Sequence, residues 1–275
     1  MPNAMIVYNP ISGRFQKEKL VDRVGKRLNE LGWEAEVFAS KNPQHITSLA
    51  EKASEEEYTA FFVAGGDGSI GLAAKGLIHS KTALGVLPAG TSNVWSREFD
   101  LAGLTWQHLN ALEIAAEKQI SGHVQAVDVG MLNGQAFMLW AGVGLDAEVV
   151  RQMESNRDDV RQFSILKYAQ TVLKNIQSWE GIDLEIKIDD QKIEGRYIFA
   201  VVSNIRKYAG GLSEISPAAC LDDGLMDLWL FDGNSPADSF RSLVLLLSNR
   251  HKNSKNVKRL PFSSLDIVSD SPLYF

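Results

Sequence analysis

Short apolar runs alternate with amphipathic stretches through the first hundred residues. Ala4-Met5-Ile6-Val7-Tyr8 is continuously apolar and predicts a buried strand, closed by the turn Asn9-Pro10-Ile11-Ser12-Gly13. From about Lys17 to Leu31, Leu20, Val24 and Leu28 recur every four residues, which predicts a helix stopped at Gly32. Glu34 to Ala39 alternates as a second strand, and Asn42-Pro43 offers a cap with proline at the first helical position. Thr59 to Ala64 predicts a third strand, Ile70 to His79 a helix, and Ala83 to Leu87 a fourth strand. Strands that alternate with helices imply crossover connections, hence a mostly parallel sheet with helices on its faces.

After Ile120 the period changes. Gln125 to Leu132, Asn133-Gly134 and Gln135 to Ala141 predict a hairpin with a tight Asn-Gly turn. Asp183 to Ile188, Asp189-Asp190 and Lys192 to Ser203 predict a second. Leu225 to Phe231 and Ser264 to Ser269 add strands, while helices are expected near Ser164 to Ile176 and Pro236 to Leu247. The expected architecture is an α/β N-terminal lobe over residues 1–120 and a β-rich, largely antiparallel C-terminal lobe over 121–275.

Composition narrows the class. A chain of 275 residues with 45% hydrophobic and 23% charged residues suits a globular protein large enough to hold a core without covalent staples. The lone Cys220 forms no internal disulfide, which fits a reducing cytoplasm. A formal charge of −6 disfavours a nucleic-acid partner. The start of the chain has no charged n-region, and Leu243 to Leu247 is far shorter than the ~20 residues of a membrane span.

Three corners carry the chemistry, each after a strand and before a helix: Asn9-Pro10-Ile11-Ser12-Gly13, Gly65-Gly66-Asp67-Gly68-Ser69 and Leu87-Pro88-Ala89-Gly90-Thr91-Ser92-Asn93. In open parallel sheets, ligands bind beyond the carboxyl ends of the strands. Glycine for close backbone approach, hydroxyls and helix N-terminal amides together make anion sites, and three on one edge suggest a polyphosphate. Asp67 is the misfit. It either caps the next helix or attends a cation, and Ser69 competes for the capping role. No G-x-x-x-x-G-K-[ST] occurs. Gly142-Val143-Gly144-Leu145-Asp146-Ala147 matches G-x-G-x-x-A, but Lys167 and Tyr168 stand where the acidic residue is needed, so it reads as a structural turn.

These corners resemble the signatures of the diacylglycerol kinase catalytic-domain superfamily, which includes sphingosine and ceramide kinases and is related more distantly to NAD kinases. The resemblance continues through Val127-Asp128-Val129-Gly130, Ala141 to Ala147, Ser203-Asn204 and Leu221-Asp222-Asp223-Gly224-Leu225-Met226-Asp227, so it covers the chain. The bacterial soluble lipid kinases are the nearest branch. The resemblance implies transfer of the γ-phosphate of ATP to a lipid hydroxyl. ATP contacts are expected from Asn9, Pro10, Ile11, Ser12, Gly13, Ser40, Gly65, Gly66, Asp67, Gly68, Ser69 and Thr91, and acceptor-side roles from Asn93 and Asp146, between the lobes. Ser69 replaces the usual Thr, and Val94 the commoner Asp. The resemblance also implies a structural Mg²⁺ held by Asp223 and the carbonyls of Cys220 and Leu225; a plain Asp-Gly turn is the simpler reading.

The family's general base lies in an Asp-Gly-Glu motif that follows an apolar strand similar to Pro272-Leu273-Tyr274-Phe275. The 275 residues contain no such motif, so the catalytic Asp is expected beyond Phe275 and this stretch is expected to bind ATP but transfer phosphate poorly. An NAD kinase, or an inactive nucleotide-binding regulator if the protein ends there, is the alternative. Trp95, Phe137, Trp140 and Phe163 line an acyl slot or pack the core. Arg250, His251, Lys252, Lys255, Lys258 and Arg259 dock on lipid or form a solvated loop. A lipid substrate met at the inner face of the membrane by a cytoplasmic protein follows from the resemblance, which also allows a homodimer.

Overall fold

A computed structural model describes residues 1–10, 17–155, 165–270 and 273. It divides into two compact units, Met1–Met138 and Leu139–Phe275.

The first unit is built on a four-stranded parallel sheet ordered β2-β1-β3-β4, from β1 (Asn3–Tyr8), β2 (Glu34–Ala39), β3 (Ala60–Gly65) and β4 (Ala83–Pro88). β1 from Ala4 onward and all of β3 are buried, as expected for strands covered on both faces, which explains why these segments lack alternation. Helix α1 (Lys17–Glu30) packs Leu20, Val21, Val24 and Leu28 against Ile6, Phe62 and Leu87. Arg23 and Arg27 on its outer side pair with Glu113 and Glu117 of α5 (Ala111–Ile120). Helix α2 (Pro43–Glu55) starts as its sequence indicates: the Asn42 side chain accepts from the His45 amide at 2.8 Å, with proline next. Helices α3 (Asp67–Leu77) and α4 (Val94–Glu98) follow β3 and β4.

The expected first hairpin is shorter than its sequence suggests. Only β5 (Gly130–Leu132) and β6 (Gln135–Phe137) pair, through the Asn133-Gly134 turn with both residues at positive φ. Trp140 and Ala141 instead begin β7 (Trp140–Gly144), which pairs with β9 in the second unit.

That second unit holds a six-stranded antiparallel sheet, β13-β12-β9-β8-β14, with β7 against β9. Strand β8 (Ile182–Ile188) alternates strictly, burying Ile182, Leu184, Ile186 and Ile188. It turns through Asp189-Asp190 into the long β9 (Gln191–Ser203), as expected. β12 (Met226–Asp232) and β14 (Leu265–Val268) also fall where alternation places them. β13 (Val257–Phe262) lies in what the sequence suggested was a basic loop. Helices α6 (Leu145–Ser155), α7 (Ile165–Ile176) and α8 (Pro236–Leu247) complete the unit, and its core joins Val149, Val172, Ile198, Phe199, Phe231 and Leu246.

Candidate functional site

The carboxyl ends of all four parallel strands meet one edge of the first unit. Tyr8 is level with Ala39 and Ala64, and Gly65 with Pro88. Ser40 extends the ladder one residue, its amide donating to the Tyr8 carbonyl at 2.8 Å, which sets it beside the start of the Asn9-Pro10 turn. Its hydroxyl is buried, at 3% exposure of the residue, and finds no hydrogen-bond partner among the described residues. A buried hydroxyl without a partner costs free energy unless a ligand or water engages it. Ile11, Ser12 and Gly13 lie outside the described residues.

The second and third corners touch through their backbones. A Cβ on Gly90 would come within 2.3 Å of Gly66 Cα and 2.8 Å of Gly66 N, so Gly90 tolerates no side chain at that crossing, and one on Gly66 would press Gly90 Cα at 3.3 Å. Gly65 is similarly closed by Ser69, 2.6 Å from where a Cβ would stand. Gly68, by contrast, faces open space. Asn93 fixes the third corner in the left-handed region (φ 50°), its Oδ1 accepting from the Gly90 amide and its Nδ2 donating to the Gly90 carbonyl, both at 3.0 Å. Both ends of that amide are therefore spent on shaping the turn. Thr91 stands exposed at the tip.

Helix α3 begins earlier than the sequence suggests. It starts at Asp67, with Gly66 in the cap position. Asp67 is accordingly not the cap of its own helix. Its Oδ1 accepts from the Trp95 amide at 3.0 Å, in the first turn of α4, and so joins the two Gly-rich corners. One charged residue at this end of the unit escaped sequence reasoning. Lys17, which opens α1, is 3% exposed, and burial draws its ammonium pKa down to about 8. Its only sequence signal is a basic residue just after the first corner.

In the second unit, Asp146 lies in the first turn of α6. Within the G-x-G-x-x-A match, Gly144 sits at φ +92° where β7 enters α6, and a Cβ there would lie 2.9 Å from the Ile198 carbonyl, so this glycine shapes the turn. Around Cys220, Asp223 and Leu225 the chain forms a turn with Gly224 at φ +73°. The Leu225 amide donates to Asp223 Oδ1 at 3.0 Å. The same three residues, with Asp227 and Arg259, line a cavity of about 220 Å³. Arg259 Nε donates to Asp227 Oδ1 at 2.8 Å, while Ser216 holds the other carboxylate oxygen, so the cavity's one arginine is neutralised. Among the described residues no cluster of three or more His, Cys, Asp or Glu side chains could hold a metal. A cation here would rely on one carboxylate, main-chain carbonyls and water, a donor set that fits Mg²⁺.

Two aromatics expected as acyl-slot candidates pack as core. Trp95 is buried edge-on to Phe99, and Trp140 packs edge-on against Tyr208; Phe163 lies outside the described residues. The expected basic cluster also divides. His251 is fully buried, Lys258 pairs with Asp232 and Arg259 with Asp227. Arg250, Lys252 and Lys255 remain exposed.

Residues 3–132 match the family model of the diacylglycerol kinase catalytic domain, and residues 140–275 match that of the YegS C-terminal NAD kinase beta sandwich-like domain. The chain belongs to the diacylglycerol kinase catalytic-domain superfamily, a family of lipid kinases. A diacylglycerol kinase of Bacillus subtilis (strain 168) is 27% identical over 259 residues, covering 94% of this chain and 82% of the relative. One from Staphylococcus aureus (strain MRSA252) is 27% identical over 258 residues, covering 93% and 78%. A solved diacylglycerol kinase structure from Bacillus anthracis str. Sterne superimposes with a TM-score of 0.69 at 19% identity, covering 98% of this chain and 86% of that one. A second from the same organism gives 0.75 at 21%, covering 98% and 87%. At these identities the structures show the fold, a helix-flanked parallel sheet followed by an antiparallel one. Among the described residues no helix is long and apolar enough to cross a membrane.

Proposed function

We propose that this lipid kinase transfers the γ-phosphate of Mg²⁺-bound ATP to the hydroxyl of a diacylglycerol-like lipid, as a cytoplasmic protein that meets the inner face of the membrane. The observation that carries this reading is the contact of two glycine corners at the carboxyl edge of the parallel sheet. Gly66 and Gly90 approach so closely that Gly90 admits only bare backbone, while Gly68 leaves space above. Amides at the start of α3 suit the phosphates. Ser40 offers its unpartnered hydroxyl, and Asn9 to Gly13, Ser69 and Thr91 complete the nucleotide contacts. Lys17 has the sign a polyphosphate needs. Asp67 keeps one carboxylate oxygen on the Trp95 amide and turns its remaining charge toward a phosphate-bound cation. Asn93 bears on the acceptor side by shaping the third corner, with Asp146 as the second acceptor-side residue.

The Cys220–Leu225 turn would hold a second, structural Mg²⁺ through Asp223 and the carbonyls of Cys220 and Leu225. Supplying such an ion stabilises the folded state by mass action. Removing divalent cations with a chelator is expected to lower the melting temperature by a few degrees, and Asp223→Ala to abolish that difference. An unchanged melting curve in chelator would contradict the assignment.

The activity is tested by giving the full-length protein γ-labelled Mg-ATP with either diacylglycerol in detergent micelles or NAD. Label in phosphatidic acid and none in NADP is expected. Label in NADP alone would replace the lipid reading with a nicotinamide one.

A further inference from the structure

Helix α8 carries apolar residues on two sides. Ser239, Ser242 and Leu246 face inward, and Leu243 packs partly against the core. Phe240, Val244 and Leu247, spaced by four and three, stand on an outward flank at 54%, 47% and 47% exposure. Leu212 is 54% exposed. It precedes β11 (Ser213–Glu214), where the Ser213 hydroxyl donates to the Leu246 carbonyl at 2.6 Å, which brings Leu212 to the C-terminal end of the stripe. Single exposed apolar side chains are ordinary, but these four together present roughly 350 Å² of apolar surface, the size of patches that mark a contact site.

The charge around the stripe says what covers it. Arg241 stands beside it on α8, its guanidinium shared with Asp238 at 2.7 Å. Just beyond the helix, Arg250, Lys252 and Lys255 are exposed, and no carboxylate among the described residues pairs with them. His251 between them is buried and bonded to the Ile215 carbonyl at 2.8 Å, so it pins the short 3-10 turn His251–Asn253 that presents these cations. In a chain of formal charge −6 this is a local reversal of sign.

We infer that α8 and the turn after it form a docking surface for an anionic bilayer. Phe240, Val244 and Leu247 enter the boundary between headgroups and acyl chains, and Arg250, Lys252 and Lys255 meet lipid phosphates. The inference deepens the lipid kinase reading, whose acceptor resides in a membrane, but its physical basis is the stripe and its cations. A second copy of the chain is the competing occupant. A stable protein interface buries about 800 Å² per partner, more than twice this stripe. A symmetric pairing would also bring like cations together, whereas an anionic surface neutralises them.

The test is sedimentation of the full-length protein with vesicles, in the absence of nucleotide. Equimolar phosphatidylcholine and phosphatidylglycerol are compared with phosphatidylcholine alone. Two variants are read beside the wild type: Phe240→Ser with Val244→Ser and Leu247→Ser, and Arg250→Glu with Lys252→Glu and Lys255→Glu. The wild type is expected to bind the anionic vesicles at least roughly tenfold more tightly than the neutral ones, weakening with salt, and each variant to lose roughly tenfold or more. The charge-reversal variant lies on surface loop residues, so it reports even if the serine variant folds poorly. Equal binding by wild type and both variants, or none by the wild type, would overturn the inference. So would a change from dimer to monomer in the serine variant with vesicle binding intact, which would assign the stripe to a second copy. Calorimetry with Mg-ATP on the same proteins separates the two readings: lost nucleotide binding with intact vesicle binding would sink the kinase site and leave the docking surface standing.

Discussion

A Cβ at Gly90 would lie 2.3 Å from Gly66 Cα, while one at Gly68 would meet nothing within 4 Å. Gly90→Ala must therefore push two corners apart and is expected to cost about 2 kcal/mol or more, read as a lowered denaturation midpoint. Gly68→Ala sits inside α3, where alanine is the better helix former, and is expected to stabilise the fold by about 0.5–1 kcal/mol. If the space above Gly68 belongs to phosphate, the same change weakens Mg-ATP binding by at least roughly tenfold. A variant that is more stable and binds equally well would count against the site. Ser40→Ala divides in the same way. Removing a buried hydroxyl with no partner leaves stability unchanged or slightly raised, and loss of its bond to nucleotide lowers affinity by about tenfold. The Gly-Gly-Asp-Gly run and the Ser40 position were legible in the sequence through chemistry and resemblance. Three facts were not, because they depend on distant neighbours: the Gly66–Gly90 contact, the bond from the Trp95 amide to Asp67, and the burial of Lys17.

Elements with strong local signals appear where the sequence puts them. Helix α8 has Ser235 accepting from the Asp238 amide at 3.2 Å with proline next, and β8 alternates without a break. β13 was hidden because Lys258, Arg259 and Pro261 interrupt any apolar pattern; as an edge strand it tolerates both charge and proline. The apolar run of β7 continues from β6 with no turn residue between them, so periodicity alone joins the two in one hairpin. His251 makes the second unit sensitive to pH. Its neutral Nε2–H tautomer donates to the Ile215 carbonyl, and burial holds its pKa below the ordinary 6.5. The unfolded chain takes up this proton near pH 6.5 while the folded chain resists it. Stability is therefore full above that pH and falls as pH drops below it, toward the lower folded pKa. Urea midpoints are expected to decline between about pH 7.5 and about pH 5.5, and His251→Gln to flatten the decline. An equal slope in the variant would show that other groups control it.

At the scale of the molecule, alternating strands and helices, then hairpins, announced a parallel sheet followed by an antiparallel one, and the two units have those sheets. Overall charge was a poorer guide. A net value of −6 conceals the exposed Arg250, Lys252 and Lys255 beside an apolar stripe. The stripe itself shares a helix with core residues and cannot be told from them by period alone, since Leu243 and Leu246 turn inward while Val244 and Leu247 do not. What the whole account rests on is that the carboxyl edge of the small parallel sheet takes a triphosphate with its cation. Titration calorimetry tests this most directly, with Mg-ATP, ATP in chelator, and AMP injected into the wild type and Gly68→Ala. Saturable binding of one Mg-ATP per chain is expected, weaker without the cation, negligible for AMP and weakened by the alanine. No heat from Mg-ATP, or equal binding of AMP, would contradict it.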